Sequence, residues 1–238
     1  MALAANVKGQ GHELKTTQEL LASPAVNLLN ATVTADSLHC QDQTAHLINR
    51  EKGGDSLLQV RDNQPTLRVL AGQQLARKCP LFSSTDADHE RSVVRQFSRV
   101  STDPQRADFP EARQLLKSRN DTTYKKAPKD PGKAADENLT RYFISSWDEQ
   151  QKNPQSMAQL IQSYWCSESR HWQRDACWRE DKCRLRNANG ACALALIRAT
   201  LQSLVRWVGG QSLPTVFEDV AHDLSLGLGW LKQHHLHR

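Results

Sequence analysis

The chain has 238 residues, with 31 Lys and Arg against 26 Asp and Glu, so its formal net charge is +5. Hydrophobic residues make up 38% of the chain and the mean hydropathy is −0.65. No apolar run approaches the ~20 residues that a membrane-spanning helix requires. The length allows one large domain or two small ones.

The net charge and the cysteines bear on the protein's partner and on its cellular compartment. A positive net charge suits a polyanionic partner without requiring one. Residues 1–8 have no charged stretch before an apolar run, which is not the pattern of a signal peptide. The six cysteines are therefore expected to be reduced thiols in a cytoplasmic protein.

The first 80 residues alternate amphipathic stretches with short apolar runs. The pattern predicts helices over 12–22, 42–51 and 65–77 and buried strands over 31–35 and 56–61. The last of these helices starts at Pro65, where the missing N–H of proline costs nothing. A strand–helix–strand order predicts a βαβ unit in a mainly parallel sheet.

The remainder of the chain is less regular at first and then helical. The pattern predicts strands over 91–100 and 141–147, a polar loop or disordered insert over 117–139, and helices over 154–173, 188–208 and near 214–223.

Two carboxylates are the candidate site residues. Asp36 directly follows a strand, and open α/β sheets place ligands at the carboxyl ends of strands; the alternative is that Asp36 caps a helix. Glu168 shares a helix face with Tyr164 and Trp172. A carboxylate between two aromatic residues is costly unless it is paired or binds a metal; the alternative is a solvated helix residue.

Basic residues and cysteines near Glu168 suggest further sites. Lys182, Arg184 and Arg186 form a basic cluster that suits DNA phosphates, although a solvated face explains it nearly as well. Cys166, His171, Cys177 and Cys183 do not have the C-x2-C spacing of a usual zinc finger, so ordinary thiols are favoured over a zinc site.

Four segments together resemble bacterial insertion-sequence transposases of the H-repeat-associated type, within the DDE transposases. They are NATVTADSLHCQ (30–41), GGDSLLQVRDNQP (53–65), RYFISS (141–146) and WRED (178–181), in the order of the family. The resemblance implies an RNase H-like α/β fold: a mixed sheet with helices, a β-rich insertion between the second Asp and the Glu, and a helical carboxyl-terminal third. The implied divisions are a partial core over 1–80, the insertion and polar loop over 81–150, the helices of the catalytic Glu and the core over 151–210, and a carboxyl-terminal helix and tail over 211–238.

The resemblance also implies a catalytic site. In the family, two Asp and one Glu hold two divalent metal ions, usually Mg²⁺, with Mn²⁺ as a substitute; Asp36 matches the second Asp and Glu168 the Glu. Phosphodiester hydrolysis and strand transfer need one metal to activate the attacking oxygen and one to stabilise the leaving oxygen. Carboxylate oxygens are the ligands that these hard ions prefer.

The chain departs from the family pattern in three places. The first Asp of the family lies upstream of the match at residues 8–13, and this chain begins too late to contain it. The family's Arg-Gly-His-Trp is replaced by Gln162–Trp165. One residue is lost between the Glu and a His-Trp pair, which rotates the following helix by about 100°.

These departures predict an amino-terminally truncated, inactive transposase copy that binds metal weakly. Its expected partners are the DNA of the element ends and other transposase chains, through self-association or association with a full-length transposase; no membrane partner is expected. The alternative is a non-catalytic remnant that binds DNA or associates with a transposase.

Overall fold

A computed structural model describes residues 12–87, 91–125, 138–164, 183, 185, 187–209 and 213–233. The chain divides into two compact units, Gly11–Trp165 and Met1–Gln10 together with Cys166–Arg238. The two units are described separately below.

The larger unit is built on one sheet. Its strands are β1 (Thr32–Ala35), β2 (Asp55–Val60), β3 (Phe82–Ala87), β4 (Arg91–Ser101), β5 (Gln114–Tyr124) and β6 (Asn138–Ser145). Their order in the six-stranded sheet is β1-β2-β6-β5-β4-β3. Only β1 and β2 are parallel, and every other neighbouring pair is antiparallel.

The helices of this unit are α1 (Glu13–Ala22), α2 (Asp42–His46), α3 (Pro65–Leu75), α4 (Pro104–Ala107) and α5 (residues 154–164). A 3-10 turn spans Ser37–His39, and a π-helical turn spans Leu47–Glu51 directly after α2. In the π turn the N–H of Lys52 donates to the carbonyl of Leu47 at 3.0 Å. The sequence pattern predicted one helix over 42–51 and did not show this widened turn.

The alternation of side chains along β2 divides the core into two layers. Leu58 packs on one face with Leu67 and Ala71 of α3. Leu57 packs on the opposite face with Met157 of α5. Successive side chains of a strand point to opposite faces, so the adjacent Leu57 and Leu58 are covered by helices on opposite sides of the sheet. The sheet therefore lies between helices.

Two sequence predictions about this sheet are wrong. The sheet is not mainly parallel, because β6 returns antiparallel beside β2 and the strand that follows α3 lies at the far edge. Residues 117–124 and 138–139 are not loop, because they belong to β5 and β6. The polar segment forms a strand because each residue of β5 from Gln114 to Tyr124 pairs with one of β4, and pairing outweighs weak intrinsic preference.

The coarse prediction of a mixed α/β fold is confirmed. Strand β1 was expected to be buried, but all four of its residues are half-buried, since it lies at the end of the sheet. Strand β3 and helix α4 were not predicted from the sequence. The predicted helix over 154–173 is observed over 154–164, and its remaining residues lie outside the described part of the chain.

In the smaller unit the described elements are α6 (Ala188–Gly209), α7 (Leu213–His222) and α8 (Leu224–Gln233). Helix α6 begins where Asn187 Oδ1 accepts the N–H groups of Asn189 and Gly190 at 3.0 and 3.1 Å. Helix α8, which was not predicted, begins where Asp223 accepts the N–H of Ser225. A side-chain oxygen at this position satisfies N–H groups that the first turn leaves unpaired. Among the described residues, no helix has the length and apolar character needed to cross a membrane.

Candidate functional site

Asp36 follows the last residue of β1 and is exposed. Its carboxylate Oδ1 accepts the N–H of Leu38 at 3.0 Å and caps the 3-10 turn Ser37–His39. The capping role is the alternative that the sequence left open. The cap uses one carboxylate oxygen of Asp36 to accept from a neutral N–H group. The carboxylate itself lies at the carboxyl end of β1, which runs parallel to β2.

The turn that carries Asp36 is held by the loop after β2. The side-chain amide of Asn63 donates to the carbonyl of Ser37, and Gln64 Nε2 donates to the carbonyl of Cys40 at 2.9 Å. The loop itself is held by an ion pair between Asp62 and Arg68 of α3. Because β1 and β2 are parallel, the loops that follow them leave the sheet on the same side, at the carboxyl ends of the two strands. The side-chain amides of Asn63 and Gln64 join these loops.

Asn63 and Gln64 are the residues that sequence reasoning missed. In the sequence analysis they appear only within the segment GGDSLLQVRDNQP (53–65), with no role of their own. Their position in the sequence could have indicated this role. Two amide side chains stand directly before the proline that starts α3, and they follow β2, the strand next to β1. Amides donate and accept at once, which suits them to bridging two loops.

A polar depression lies beside the Asp36 turn. Its volume is about 410 Å³, and the residues lining it are Leu14, Gln18, Gln41, Asp42, Gln43, Gln64 and Asp108. Gln64 links the two features, since it lines the depression and also bonds to the turn. The lining contains two carboxylates and no cationic group, so it is unsuited to an anion and gives no independent DNA site.

Cys40 ends the turn and is completely buried. Burial, and secondarily the nearby carboxylate of Asp42, raises the pKa of the Cys40 thiol from 9.0 to about 12. A thiol is nucleophilic or metal-binding only as a thiolate. At neutral pH Cys40 is therefore a neutral thiol, and it packs in the buried core. Cys40, Cys79, Cys183 and Cys192 are all free thiols, as the sequence predicted.

The other predicted site residues lie in the carboxyl-terminal part of the sequence. Glu168, Lys182, Arg184 and Arg186 lie outside the described residues. So do three of the four residues considered for zinc, namely Cys166, His171 and Cys177. Within the described part of the chain, no group of three or more His, Cys, Asp or Glu side chains is arranged to hold a metal ion. The ligand set of Asp36 with Glu168 therefore stays a prediction.

The donor chemistry at Asp36 fits a hard divalent cation. Its carboxylate is exposed, lies at a strand end, and has a second oxygen besides the one that accepts from Leu38. Mg²⁺ is commonly held by one or two carboxylates while it keeps several waters. One carboxylate is an incomplete site, and a second from outside the described residues would be needed to complete it.

Comparison with known proteins gives two distant likenesses, both to proteins of Escherichia coli K12. The chain is 27% identical over 207 residues to the protein named putative protein YbfL. It is 26% identical over 207 residues to the protein named H repeat-associated putative transposase YhhI. In both cases the match covers 81% of this chain and 53% of the relative.

The chain thus spans about half the length of these relatives. No family model matches it, and no solved structure matches it. The likeness is to a transposase-like family, at an identity too low to fix the role of any single residue.

Proposed function

We propose that the chain is a transposase-related protein with an RNase H-like core that acts on DNA. The observation that carries the proposal is the match to a protein named as a transposase over 81% of the chain. The position of Asp36 supports it, because an exposed carboxylate at the carboxyl end of β1 lies where open α/β sheets bind ligands.

In this proposal Asp36 and Glu168 hold a divalent metal, Mg²⁺ or Mn²⁺. When bound, the metal supplies charge stabilisation for the oxygens of a phosphodiester undergoing displacement. Asn63 and Gln64 fix the backbone of the Asp36 turn and so orient its carboxylate.

The 238-residue polypeptide is expected to cleave DNA poorly by itself. The resemblance supplies counterparts for two of the three family carboxylates, and two carboxylates leave most of the charge of two dications uncompensated. The proposed activity of the isolated chain is therefore at most slow nicking. Lys182, Arg184 and Arg186 are proposed to contact phosphates, which contributes affinity without sequence preference.

A second function is favoured by one observation at the site. The Asp36 carboxylate already has a structural use as the cap of a turn, so its presence does not require metal chemistry. The alternative is a non-catalytic protein that binds DNA or associates with a longer transposase chain. The net charge of +5 is compatible with DNA binding in both cases.

One experiment tests the proposal and separates the two functions. Binding of the full chain to a fluorescein-labelled duplex of ~30 base pairs is followed by anisotropy between about 50 and 200 mM salt. We expect binding that weakens steeply with salt, and that weakens further in a Lys182→Ala, Arg184→Ala, Arg186→Ala triple variant. Absence of binding at the lowest salt contradicts the metal-dependent function and also the DNA-binding form of the alternative, and it leaves association with a longer transposase chain.

The same samples with Mn²⁺ and a supercoiled plasmid report cleavage. Slow nicking that Asp36→Asn removes supports the metal-dependent function, and DNA binding without nicking supports the alternative. Nicking that persists in Asp36→Asn contradicts the assigned role of Asp36. Robust multiple-turnover cleavage by the wild-type chain contradicts the expected inactivity.

A further inference from the structure

Gln59 is a buried polar residue among the apolar residues of β2. It is only 1% exposed, and within the described part of the chain its side-chain oxygen Oε1 has no hydrogen-bond partner. Burying an amide oxygen without a partner is costly. A bound ion and a bound water are two of the ways in which such a group is satisfied in a folded protein.

The strand register places Gln59 beside Asp36. Strands β1 and β2 run parallel, and their last registered pair is Ala35 with Leu58. The backbone of Asp36 is still extended, so the register continues by one residue and brings Asp36 opposite Gln59. Neighbouring strands lie about 4.8 Å apart, and the two side chains therefore start from adjacent positions on the sheet.

Gln59 and Asp36 are also directed to the same face of the sheet. Side chains alternate along a strand, and Leu57 packs on the face that α5 covers, so Gln59, two residues further on, is directed to that face. Ala35 packs on the opposite face, so the next residue, Asp36, is directed to the α5 face. An exposed carboxylate thus lies next to a buried amide oxygen.

The burial of Gln59 limits what can satisfy its oxygen. Oε1 is already enclosed, so a further protein segment would have to displace packed residues to reach it, whereas an ion or a water is small enough. The exposed carboxylate of Asp36 gives an ion access from solvent. Carboxylate and carbonyl oxygens are the ligands that Mg²⁺ and Mn²⁺ accept.

We propose that Gln59 Oε1 is a second ligand of the divalent cation that Asp36 binds. The inference rests on the proposed function, which assigns the cation to Asp36. The amide oxygen is neutral, so it replaces a water of the ion without adding negative charge and does not compensate for a missing carboxylate. The cation in turn satisfies the oxygen that lacks a partner.

Mn²⁺ binding by the full chain, measured by electron paramagnetic resonance, tests the assignment with two matched substitutions. Gln59→Leu removes Oε1 and is expected to weaken Mn²⁺ binding about three- to tenfold. Gln114→Leu is the control, because Gln114 is also completely buried with an unpartnered Oε1 but lies in β5, which β6 separates from β2. It is expected to leave the Mn²⁺ affinity unchanged.

Urea unfolding without metal distinguishes a ligand from a packing residue. Gln59→Leu removes an oxygen that has no partner, so its urea midpoint is expected to stay the same or rise. Gln114→Leu is expected to lower the midpoint, because the Gln114 amide donates to the carbonyl of Trp147 at 2.6 Å. A Gln59→Leu protein with a lower midpoint and unchanged Mn²⁺ affinity would make Gln59 a packing residue and overturn the inference.

Gln59→Glu gives a test in the opposite direction. A carboxylate in place of the amide is expected to tighten Mn²⁺ binding about tenfold or more. The buried charge is expected to lower the urea midpoint without metal, and saturating Mn²⁺ is expected to restore it. A Gln59→Glu protein that binds Mn²⁺ no more tightly than wild type would contradict the placement of Oε1 at the ion.

The outcomes separate this inference from the proposed function. Weaker Mn²⁺ binding in both Asp36→Asn and Gln59→Leu supports the inference. Weaker binding in Asp36→Asn alone overturns the role of Gln59 and leaves that of Asp36. Equal affinity of wild type and Asp36→Asn, or no Mn²⁺ binding by wild type, overturns both. A loss in Gln114→Leu as large as that in Gln59→Leu also overturns the inference.

Discussion

Replacing Gly54 by alanine tests how tightly the segment before β1 packs on the start of β2. A Cβ at Gly54 would lie 2.9 Å from both the Cβ and the carbonyl oxygen of Leu28, and 3.3 Å from the carbonyl oxygen of Ala31. The two closest atoms cannot rotate away, so the backbone around Leu28 must shift. That shift disturbs Ala31, whose carbonyl accepts the N–H of Asp55.

The expected cost follows from these contacts. Overpacking costs about 1–3 kcal/mol, and weakening the bond to Ala31 adds about 0.5–1.5 kcal/mol. Loss of backbone freedom in the unfolded chain offsets about 0.4–1 kcal/mol. We therefore expect Gly54→Ala to lower the free energy of unfolding by about 1–3 kcal/mol.

Gly72→Ala is the matched control. The nearest atom to a Cβ at Gly72, in α3, is the hydroxyl of Tyr142 at 3.8 Å, an ordinary contact. This substitution is expected to stabilise the protein by about 0.5–1 kcal/mol through helix preference. Urea unfolding followed by tryptophan fluorescence measures both variants. A Gly54→Ala protein as stable as wild type would refute the packing of this segment.

Three further predictions concern single side chains. Asp36→Ala is expected to lower the free energy of unfolding by about 1 kcal/mol because it removes the cap, whereas Asp36→Asn keeps the cap and has little effect; equal losses in urea unfolding would contradict the capping role. Gln114→Leu is expected to cost about 1–3 kcal/mol, because Gln114 is completely buried and its amide donates to the carbonyl of Trp147 at 2.6 Å; an unchanged urea midpoint would contradict it. Burial of Cys40 predicts that the stability depends on pH, because the pKa of its thiol is raised from 9.0 to about 12 in the folded chain. Below pH 9.0 the thiol is neutral in both the folded and the unfolded states, and its contribution to the free energy of unfolding is complete. As the pH rises from 9.0 toward 12, that contribution is lost at about 1.4 kcal/mol per pH unit. Urea unfolding at pH 8 and about pH 10 should show a smaller loss for Cys40→Ala than for wild type, and equal losses would contradict the assigned cause.

Much of the fold could be predicted because local patterns agree with the final structure. The short apolar run before Asp36 and the apolar residues of β2 predict strands, and Pro65 predicts the start of α3. The structure has all three elements at these places. Helices α6 and α7 follow from amphipathic periodicity. In β2 and α7 the apolar residues that favour the element include residues that it buries, such as Leu57, Leu58 and Val216.

The wrong predictions about the sheet have one physical origin, which is pairing between distant residues. The polar segment of β5 is a strand because β4 and β6 lie on either side of it. The sheet is mixed because β6 inserts next to β2. Neither fact is encoded within a window of neighbouring residues, since strand pairing depends on context more than helix formation does.

The candidate site was predictable only in part, for a similar reason. The position of Asp36 at a strand end could be read from the sequence. Its hydrogen bond to Leu38 is local and is the capping alternative that the sequence left open. The amide contacts of Asn63 and Gln64 to the same turn depend on two loops that meet only after β1 and β2 pair. The role of Asp36 as a metal ligand stays a prediction from resemblance.

The most direct test of the central claim is Mn²⁺ binding by the full chain, measured by electron paramagnetic resonance. Asp36→Asn keeps the cap but removes a carboxylate oxygen, and we expect it to weaken Mn²⁺ binding at least about tenfold. Asp103→Asn is the matched control, because Asp103 caps α4 through the N–H of Arg106 at 2.9 Å and has no proposed metal role. Equal Mn²⁺ affinity of the wild-type chain and Asp36→Asn would contradict the claim that Asp36 is a metal ligand.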